Sequence, residues 1–230
     1  MGEAFKSLRR GDFVLIHDAA DREDETDLVI LAEKVEPRHI AQMRMDAGGL
    51  ICVALHPKIA KNIGLPYMTE VYDAATCNFK VFAATKPDDI PYDEKSAFSI
   101  SVNHRKTYTG ITDADRALTI RELGLLGKKA MVKRMTDEFG RNFRSPGHVP
   151  LLLAVDGLVT KRQGHTELSC ALAEIAGMTP ALAICEMLDS RTSKALHTKD
   201  SIRYAEKRGL VHLDGFELVD EYEKWVKRRR

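Results

Sequence analysis

The run Leu50-Ile51-Cys52-Val53-Ala54-Leu55 constrains what this chain can fold into more than any other segment. A continuous apolar stretch with β-branched residues is the pattern of a buried strand, and a buried strand needs neighbours. Residues 13–17, 28–32, 97–102, 151–155, 181–185 and 210–213 read as those neighbours. Helical patterns alternate with them. Residues 37–46 carry Ile40 and Met43 on one face and stop at Gly48-Gly49. A short helix can begin at Pro57 and end at Gly64-Leu65-Pro66, and a longer one begins at Asp113 with Thr112 or Asp113 as its cap. Residues 165–176, 198–208 and 214–226 complete the helices. With 44% hydrophobic residues in 230, no internal repeat and no low-complexity linker, the pattern predicts one α/β domain over residues 1–230 built on a mixed sheet. Residues 86–96, with Pro87, Asp88, Asp89, Pro91, Asp93 and Glu94, read as an exposed excursion, and residues 224–230 as a short, solvated basic tail.

Charge and cysteine usage narrow the function classes. Lys and Arg number 35 against 34 Asp and Glu, a formal net charge of +1, which argues against a nucleic-acid or membrane-surface role. A helix-turn-helix within residues 119–135, together with the basic tail, is the feature that would favour nucleic acid. No apolar run approaches the roughly 20 residues that span a bilayer. The start Met1-Gly2-Glu3-Ala4-Phe5-Lys6 lacks a hydrophobic signal core, and Cys52, Cys77, Cys170 and Cys185 show no CxxC spacing. A cytoplasmic protein with buried thiols fits these observations.

Four segments carry residues suited to chemistry. Asp21-Arg22-Glu23-Asp24-Glu25-Thr26-Asp27 packs carboxylates into a loop at the end of a predicted strand, an arrangement that suits either a hard metal ion or a solvated acidic loop. Arg162-Gln163-Gly164-His165-Thr166-Glu167 stands at a predicted helix start. Free N–H groups and the helix dipole favour an anion there, with Arg162 to grip it and Gly164 to let the backbone approach; alternatively His165 or Thr166 simply caps the helix. His165-Thr166-Glu167 also matches the HxE of zinc deaminases, but the PCxxC they require is missing. In Arg144-Ser145-Pro146-Gly147-His148-Val149-Pro150 the prolines and glycine hold His148 rigidly before a strand, for acid–base work or a structural role. Glu186 ends an apolar strand, where open α/β sheets place catalytic groups and where a carboxylate can equally emerge into solvent.

Together with the apolar run at 50–55, with Thr109-Gly110-Ile111-Thr112-Asp113-Ala114-Asp115-Arg116 and with Ile184-Cys185-Glu186-Met187, these segments resemble the 3,4-dihydroxy-2-butanone 4-phosphate synthase family, in the family's order from about residue 11 to about residue 213. The 86–95 excursion and the Arg-Gln-Gly-His-Thr-Glu wording are most similar to the archaeal branch. Bacterial relatives carry Gly-Gly where this chain has Gln163-Gly164, and Gly where it has Thr26; both departures leave the charged residues intact.

The resemblance implies a three-layer α/β/α sandwich and a homodimer with active sites near the subunit interface. It implies a lyase of riboflavin biosynthesis that converts D-ribulose 5-phosphate to L-3,4-dihydroxy-2-butanone 4-phosphate and formate. The cofactor would be Mg2+ or Mn2+, one or two ions per site. By motif, Glu23 and His165 are metal ligands, and His148 and Glu186 are the catalytic pair. Arg22, Glu23, Asp27, Arg162, Gln163, Gly164, His165, Thr166 and Glu186 contact the sugar phosphate, with Cys52 and Thr109 near it. Bifunctional relatives continue into a GTP cyclohydrolase domain, and a monofunctional enzyme is expected here. A metal-dependent sugar-phosphate isomerase or aldolase would use a similar metal and phosphate clamp.

Overall fold

The computed structural model describes residues 1–91, 93 and 96–229. Its centre is a seven-stranded mixed sheet in the order β4-β5-β3-β6-β2-β1-β9, formed by β1 (Val14–His17), β2 (Thr26–Leu31), β3 (Cys52–Leu55), β4 (Phe98–His104), β5 (Phe143–Leu153), β6 (Ala181–Glu186) and β9 (Val211–Asp214). β2 runs antiparallel to both β1 and β6, β3 is parallel to β5, and β9 is parallel to β1. A two-stranded ribbon, β7 (Leu188–Asp189) with β8 (Lys194–Ala195), stands apart.

Side-chain alternation divides the core into two clusters. Leu28, Ile30, Val53, Leu55, Ala183 and Leu151 face one layer, which includes α2 (Pro37–Gln42), α3 (Pro57–Ile63) and α6 (Asp113–Ala130). Val29, Leu31, Cys52, Ala54, Leu182 and Ile184 face the other, made of α1 (Gly2–Arg10), α8 (His165–Ile175) and α10 (Gly215–Lys227). The sheet between them gives the three-layer α/β/α sandwich.

Local chemistry sets the ends of these elements. Thr112 caps α6 by accepting from the Asp115 N–H at 3.1 Å, and Asp113 and Asp115 in the first turn with Lys128 and Lys129 in the last complement the helix dipole. Asp214 caps α10 in the same way through the Phe216 N–H at 2.8 Å. The helical pattern at 37–46 resolves into α2 followed by a π-turn, Met43–Ala47, closed by Gly48 at φ +88°.

Several elements differ from the sequence pattern. β5 begins eight residues before the expected position 151, because Pro146, Gly147 and Pro150 disguise its first half; shifts of register against β4 absorb the irregularity. Of the expected helix-turn-helix at 119–135, residues 119–130 are one continuous stretch of α6 packed on the core and 131–135 are the turn that follows it, so the segment does not hold two helices. In α8 every residue from His165 to Ala173 is buried, because α10 covers the side away from the sheet. The stretch before the excursion folds as α4 (Met68–Ala75) and α5 (Val81–Ala84), joined by the stacked rings of Tyr72 and Phe82 at 4.5 Å. Residues 224–227 of the basic tail are helical, Arg229 lies over the Trp225 ring at 4.4 Å, and Arg230 lies outside the described residues.

Gly124 shows how closely α6 approaches the backbone after β2. A Cβ there would meet the Glu33 nitrogen at 2.3 Å and the Ala32 carbonyl carbon at 2.8 Å. Glycine normally costs a helix about 1 kcal/mol relative to alanine, so close packing is the reason for it. Gly124→Ala is expected to lower stability by roughly 1–3 kcal/mol despite the better helix former; the shift of the urea midpoint measures it, and an unchanged or raised midpoint contradicts the packing argument.

Candidate active site

The acidic segment folds as a loop closed by its own first carboxylate. Asp18, buried, accepts from the backbone N–H groups of Glu23 at 3.2 Å and Glu25 at 3.0 Å, and its own N–H donates to the Glu25 carbonyl at 3.1 Å. Asp24 takes the left-handed conformation, φ +54°, which aspartate tolerates better than most residues, and its carboxylate meets His17 Nε2 at 3.1 Å. Glu23 thereby turns inward. Its Oε2 lies 3.2 Å from Nδ1 of His165, the first residue of α8, while His165 Nε2 lies 3.3 Å from the Glu25 carbonyl oxygen and 3.7 Å from Asp27 Oδ1.

Asp27 and Glu186 complete the centre. They are partners in the antiparallel pairing of β2 with β6, so both side chains emerge on the α8 side at the same end of the sheet. Asp27 is 1% exposed, and its Oδ1 has no hydrogen-bond partner among the described residues. Glu186 is held from the other side: its Oε2 accepts from Leu50 N–H at 2.7 Å and its carbonyl from Gly49 N–H at 3.0 Å. A Cβ on Gly49 would stand 2.4 Å from Glu186 Oε2, which explains the second glycine of the pair.

Burial pushes the Asp27 carboxyl well above its ordinary range, and the neighbouring Glu186, Glu23 and Glu25 reinforce this against His165. At Glu23 the hydrogen bond from His165 outweighs burial and lowers the pKa. Burial opposes a charge on His165, yet Asp27, the Glu23 hydrogen bond and Asp18 together hold the imidazole up at about 10. One ligand atom each from Asp18, Glu23 and His165 falls within 4.8 Å of the others. One nitrogen among carboxylate oxygens, with the orphaned Asp27 oxygen beside them, is a donor set that fits a hard divalent cation.

Glu23, Asp27, Arg162, His165, Thr166 and Glu186 line one cavity of about 320 Å³, large enough for a small phosphorylated metabolite. An open cleft beside it is lined by Arg22, Arg162 and Gln163. Arg162 is anchored to Glu167, which is itself fully buried and accepts from Val155 N–H at 3.0 Å. Asp93 bridges the two guanidinium groups, accepting from Arg162 Nε at 2.6 Å and from an Arg22 terminal nitrogen at 3.1 Å. The Glu167 and Asp93 charges, against the effect of burial, raise the pKa of Arg162 further.

The remaining motif residues fall outside that cavity. Cys52 is buried beside the lining residue Ile184, its partner in the register of β3 with β6, and burial raises its thiol pKa. Thr109 is exposed and hydrogen-bonded to Asp115. His148 is exposed on β5, which is separated from β6 by β3 alone, a backbone separation of roughly 10 Å. Alternation along β5 from the lining residue Leu152 sets His148 on the same face of the sheet.

Two details correct the sequence reading. α8 is capped by Gly164 with no side-chain bond, so neither His165 nor Thr166 is its cap. The space next to Gly164 is filled by the Arg162 guanidinium, 2.5 Å from where a Cβ would sit. Asp93 also leaves the solvated excursion to join the site, whereas its neighbour Glu94 lies outside the described residues. Asp18, Asp93 and Glu167 were not singled out as site residues, because each acts through another group. Asp18 stands four residues before Arg22, and the signal that could have found it is the habit of aspartate side chains of bonding the backbone ahead of them.

An α/β enzyme with a buried carboxylate–histidine cluster beside two arginines is the class that this fold and site define. The 3,4-dihydroxy-2-butanone 4-phosphate synthase family model matches residues 2–221. Synthases of that name from Methanothermobacter thermautotrophicus and Archaeoglobus fulgidus are 52% and 50% identical, over 96% and 97% of this chain and 94% of each relative. A solved structure of a synthase in complex with two magnesium ions is 30% identical, with a TM-score of 0.77 over 97% of this chain and 96% of that one. The chain belongs to the 3,4-dihydroxy-2-butanone 4-phosphate synthase family, lyases of riboflavin biosynthesis acting on ribulose 5-phosphate.

Replacing Glu167 with leucine would strip the buried partner from Arg162 and from the Val155 N–H. The expected loss is about 3–5 kcal/mol, read from denaturant unfolding of the variant. A loss below about 1 kcal/mol would mean that the pair behaves as an exposed one.

Proposed function

We propose that Glu23 and His165 hold the divalent ion, Mg2+ or Mn2+, with room for a second, and that the cavity beside them binds D-ribulose 5-phosphate. The observation that carries this reading is the convergence of Glu23, His165, Asp27 and Glu186 in one small cavity next to Arg162. Bound there, the ion would act as a Lewis acid toward the substrate's ketone and hydroxyl oxygens, which the reaction needs because it passes through enediols.

The protein residues divide the remaining work. Arg22 and Arg162 favour the phosphate end, with Gln163, Gly164 and the Thr166 hydroxyl at the start of α8 as further contacts. Anchoring by Glu167 limits the rotamers open to Arg162, so binding energy becomes orientation. Asp27, in a site that favours its neutral form, can hold a proton next to the cross-strand carboxylate Glu186. Two carboxyl groups that share a site in this way can give and take protons in turn. His148 is the third catalytic group, and Cys52 and Thr109 support the substrate's surroundings.

The homodimer belongs to the same proposal. Tyr108, Ile111, Leu50 and Met45 are 94%, 51%, 48% and 74% exposed, and the Arg44–Asp113 ion pair at 3.0 Å ties the Met45 segment to the Ile111 loop. These apolar side chains flank the His148 and Glu186 end of the sheet, so a second copy covering them would set each cavity near the subunit boundary. No helix among the described residues is long and apolar enough to cross a membrane; a cytoplasmic single-domain catalyst remains the expectation.

The test is turnover of ribulose 5-phosphate with Mg2+, followed by formate release. Formate is expected from the native chain and its loss on chelation. Glu23→Ala and His165→Ala should lower turnover by at least about 10²-fold together with Mn2+ affinity. Glu186→Ala should lower turnover by about 10²–10⁴-fold with Mn2+ affinity kept. Full activity after chelation, or an isomerised pentose phosphate without formate, would overturn the reading.

A further inference from the structure

Asn103, near the end of β4, is 4% exposed and has two partners in one residue. Its Oδ1 lies 2.8 Å from the backbone nitrogen of His148, and its Nδ2 lies 3.0 Å from His148 Nδ1. The first contact settles the orientation of the amide. A backbone N–H can only donate, so the atom facing it is the carbonyl oxygen, and the other atom is the NH2 group. That NH2 group can only donate, so Nδ1 of His148 accepts and its ring proton sits on Nε2. The alternative contact, Nδ1 to Oδ1, is longer at 3.4 Å.

The surroundings reserve this place for the amide. A Cβ on Gly110, whose φ is +93°, would stand 2.0 Å from Asn103 Nδ2. A Cβ on Gly147 would stand 1.9 Å from the Val102 carbonyl carbon, so only glycine lets the β5 backbone come close enough for the two hydrogen bonds. Gly147 N–H also donates to Ser101 Oγ at 3.2 Å. The Thr109-Gly110 segment, which does not line the cavity, thereby acquires a physical role: it packs behind the residue that orients His148.

We propose that Asn103 is the positioning residue of His148, fixing the neutral imidazole with Nε2–H directed outward as a hydrogen-bond donor. It rests on the reading of His148 as a catalytic residue. In this state His148 cannot accept a proton at Nε2, so it enters the reaction by donating a hydrogen bond to a substrate oxygen. The first proton is then taken by a carboxylate. Neutral imidazole in this role polarises an oxygen without first needing to be charged.

The experiment is 15N NMR of histidine-labelled full-length protein, with the His148 signals assigned by their loss in His148→Gln. The native protein is expected to show neutral His148 as the Nε2–H tautomer. Asn103→Asp keeps the shape and the acceptor for His148 N–H but replaces the donor with a second acceptor, so the tautomer is expected to switch to Nδ1–H. Asn103→Ala is expected to lower kcat by about 10- to 100-fold, with a smaller change in KM. A native Nδ1–H tautomer, or an Asn103→Asp protein that keeps Nε2–H, would overturn the proposal. Undiminished turnover in His148→Gln would instead remove the catalytic reading of His148 and leave the tautomer result standing.

Discussion

The antiparallel pairing of β2 with β6 sets Asp27 opposite Glu186, and Glu23, Arg162 and His165 gather around that pair. Both strands are almost entirely buried, with Leu28 and Cys185 facing one helical layer and Val29 and Ile184 the other. A slip of one residue would turn each strand's apolar set toward the wrong layer and carry Asp27 or Glu186 to the opposite face. The core therefore specifies the carboxylate pair without any contact between the carboxylates being favourable in itself. The helix that carries His165 packs over the same end of the sheet, and the loop from Asp18 to Glu25 connects β1 to β2 at that end. Proximity of four acidic side chains and one imidazole is thus a consequence of strand order.

Such a cluster is electrostatically costly, and the fold offsets the cost in three ways. Asp18 is absorbed by backbone N–H groups, Glu23 by the His165 ring, and Glu186 by the Leu50 N–H. Asp27 Oδ1 has no such partner among the described residues, and burial raises the Asp27 pKa. An unsatisfied buried carboxyl oxygen is expensive in a purely structural setting, and it persists here next to donor atoms suited to a cation. The two arginines nearby are not loose charges either: Glu167 and Asp93 hold the Arg162 guanidinium in a defined plane. Orientation of these groups is established before any ligand arrives, which is the condition under which binding energy serves catalysis.

Much of this was legible in the residue order. The β-branched runs marked the buried strands because burial on both faces removes the polar positions from a strand, and the Thr112 and Gly64 signals marked helix ends because their chemistry is local. Glu23, Asp27, His165 and Glu186 were visible as charged residues at strand and helix ends, where each also had a structural reading, and the ordered resemblance to the synthase family is what singled them out. The first half of β5 was not legible, since Pro146 and Gly147 break the apolar alternation while the backbone still pairs with β4. Nor was the full burial of α8, whose outer face is covered by α10 some 40–60 residues later in the chain. Asp93 was hidden for another reason: it lies in a proline- and acid-rich segment that reads as solvent-exposed, and its partners Arg22 and Arg162 are each about 70 residues away. Asn103 is similar, a single polar residue in a strand whose importance comes from a partner on the next strand.

The central claim is that Glu23 and His165 form a cation site in the cavity that they line together with Asp27 and Glu186. Anomalous diffraction from crystals grown with Mn2+ measures it directly. The account predicts an ion within roughly 2.0–2.6 Å of a Glu23 carboxylate oxygen and a His165 ring nitrogen, lost in Glu23→Ala crystals. Ordered Mn2+ bound elsewhere, with the Glu23–His165 hydrogen bond intact, would contradict it.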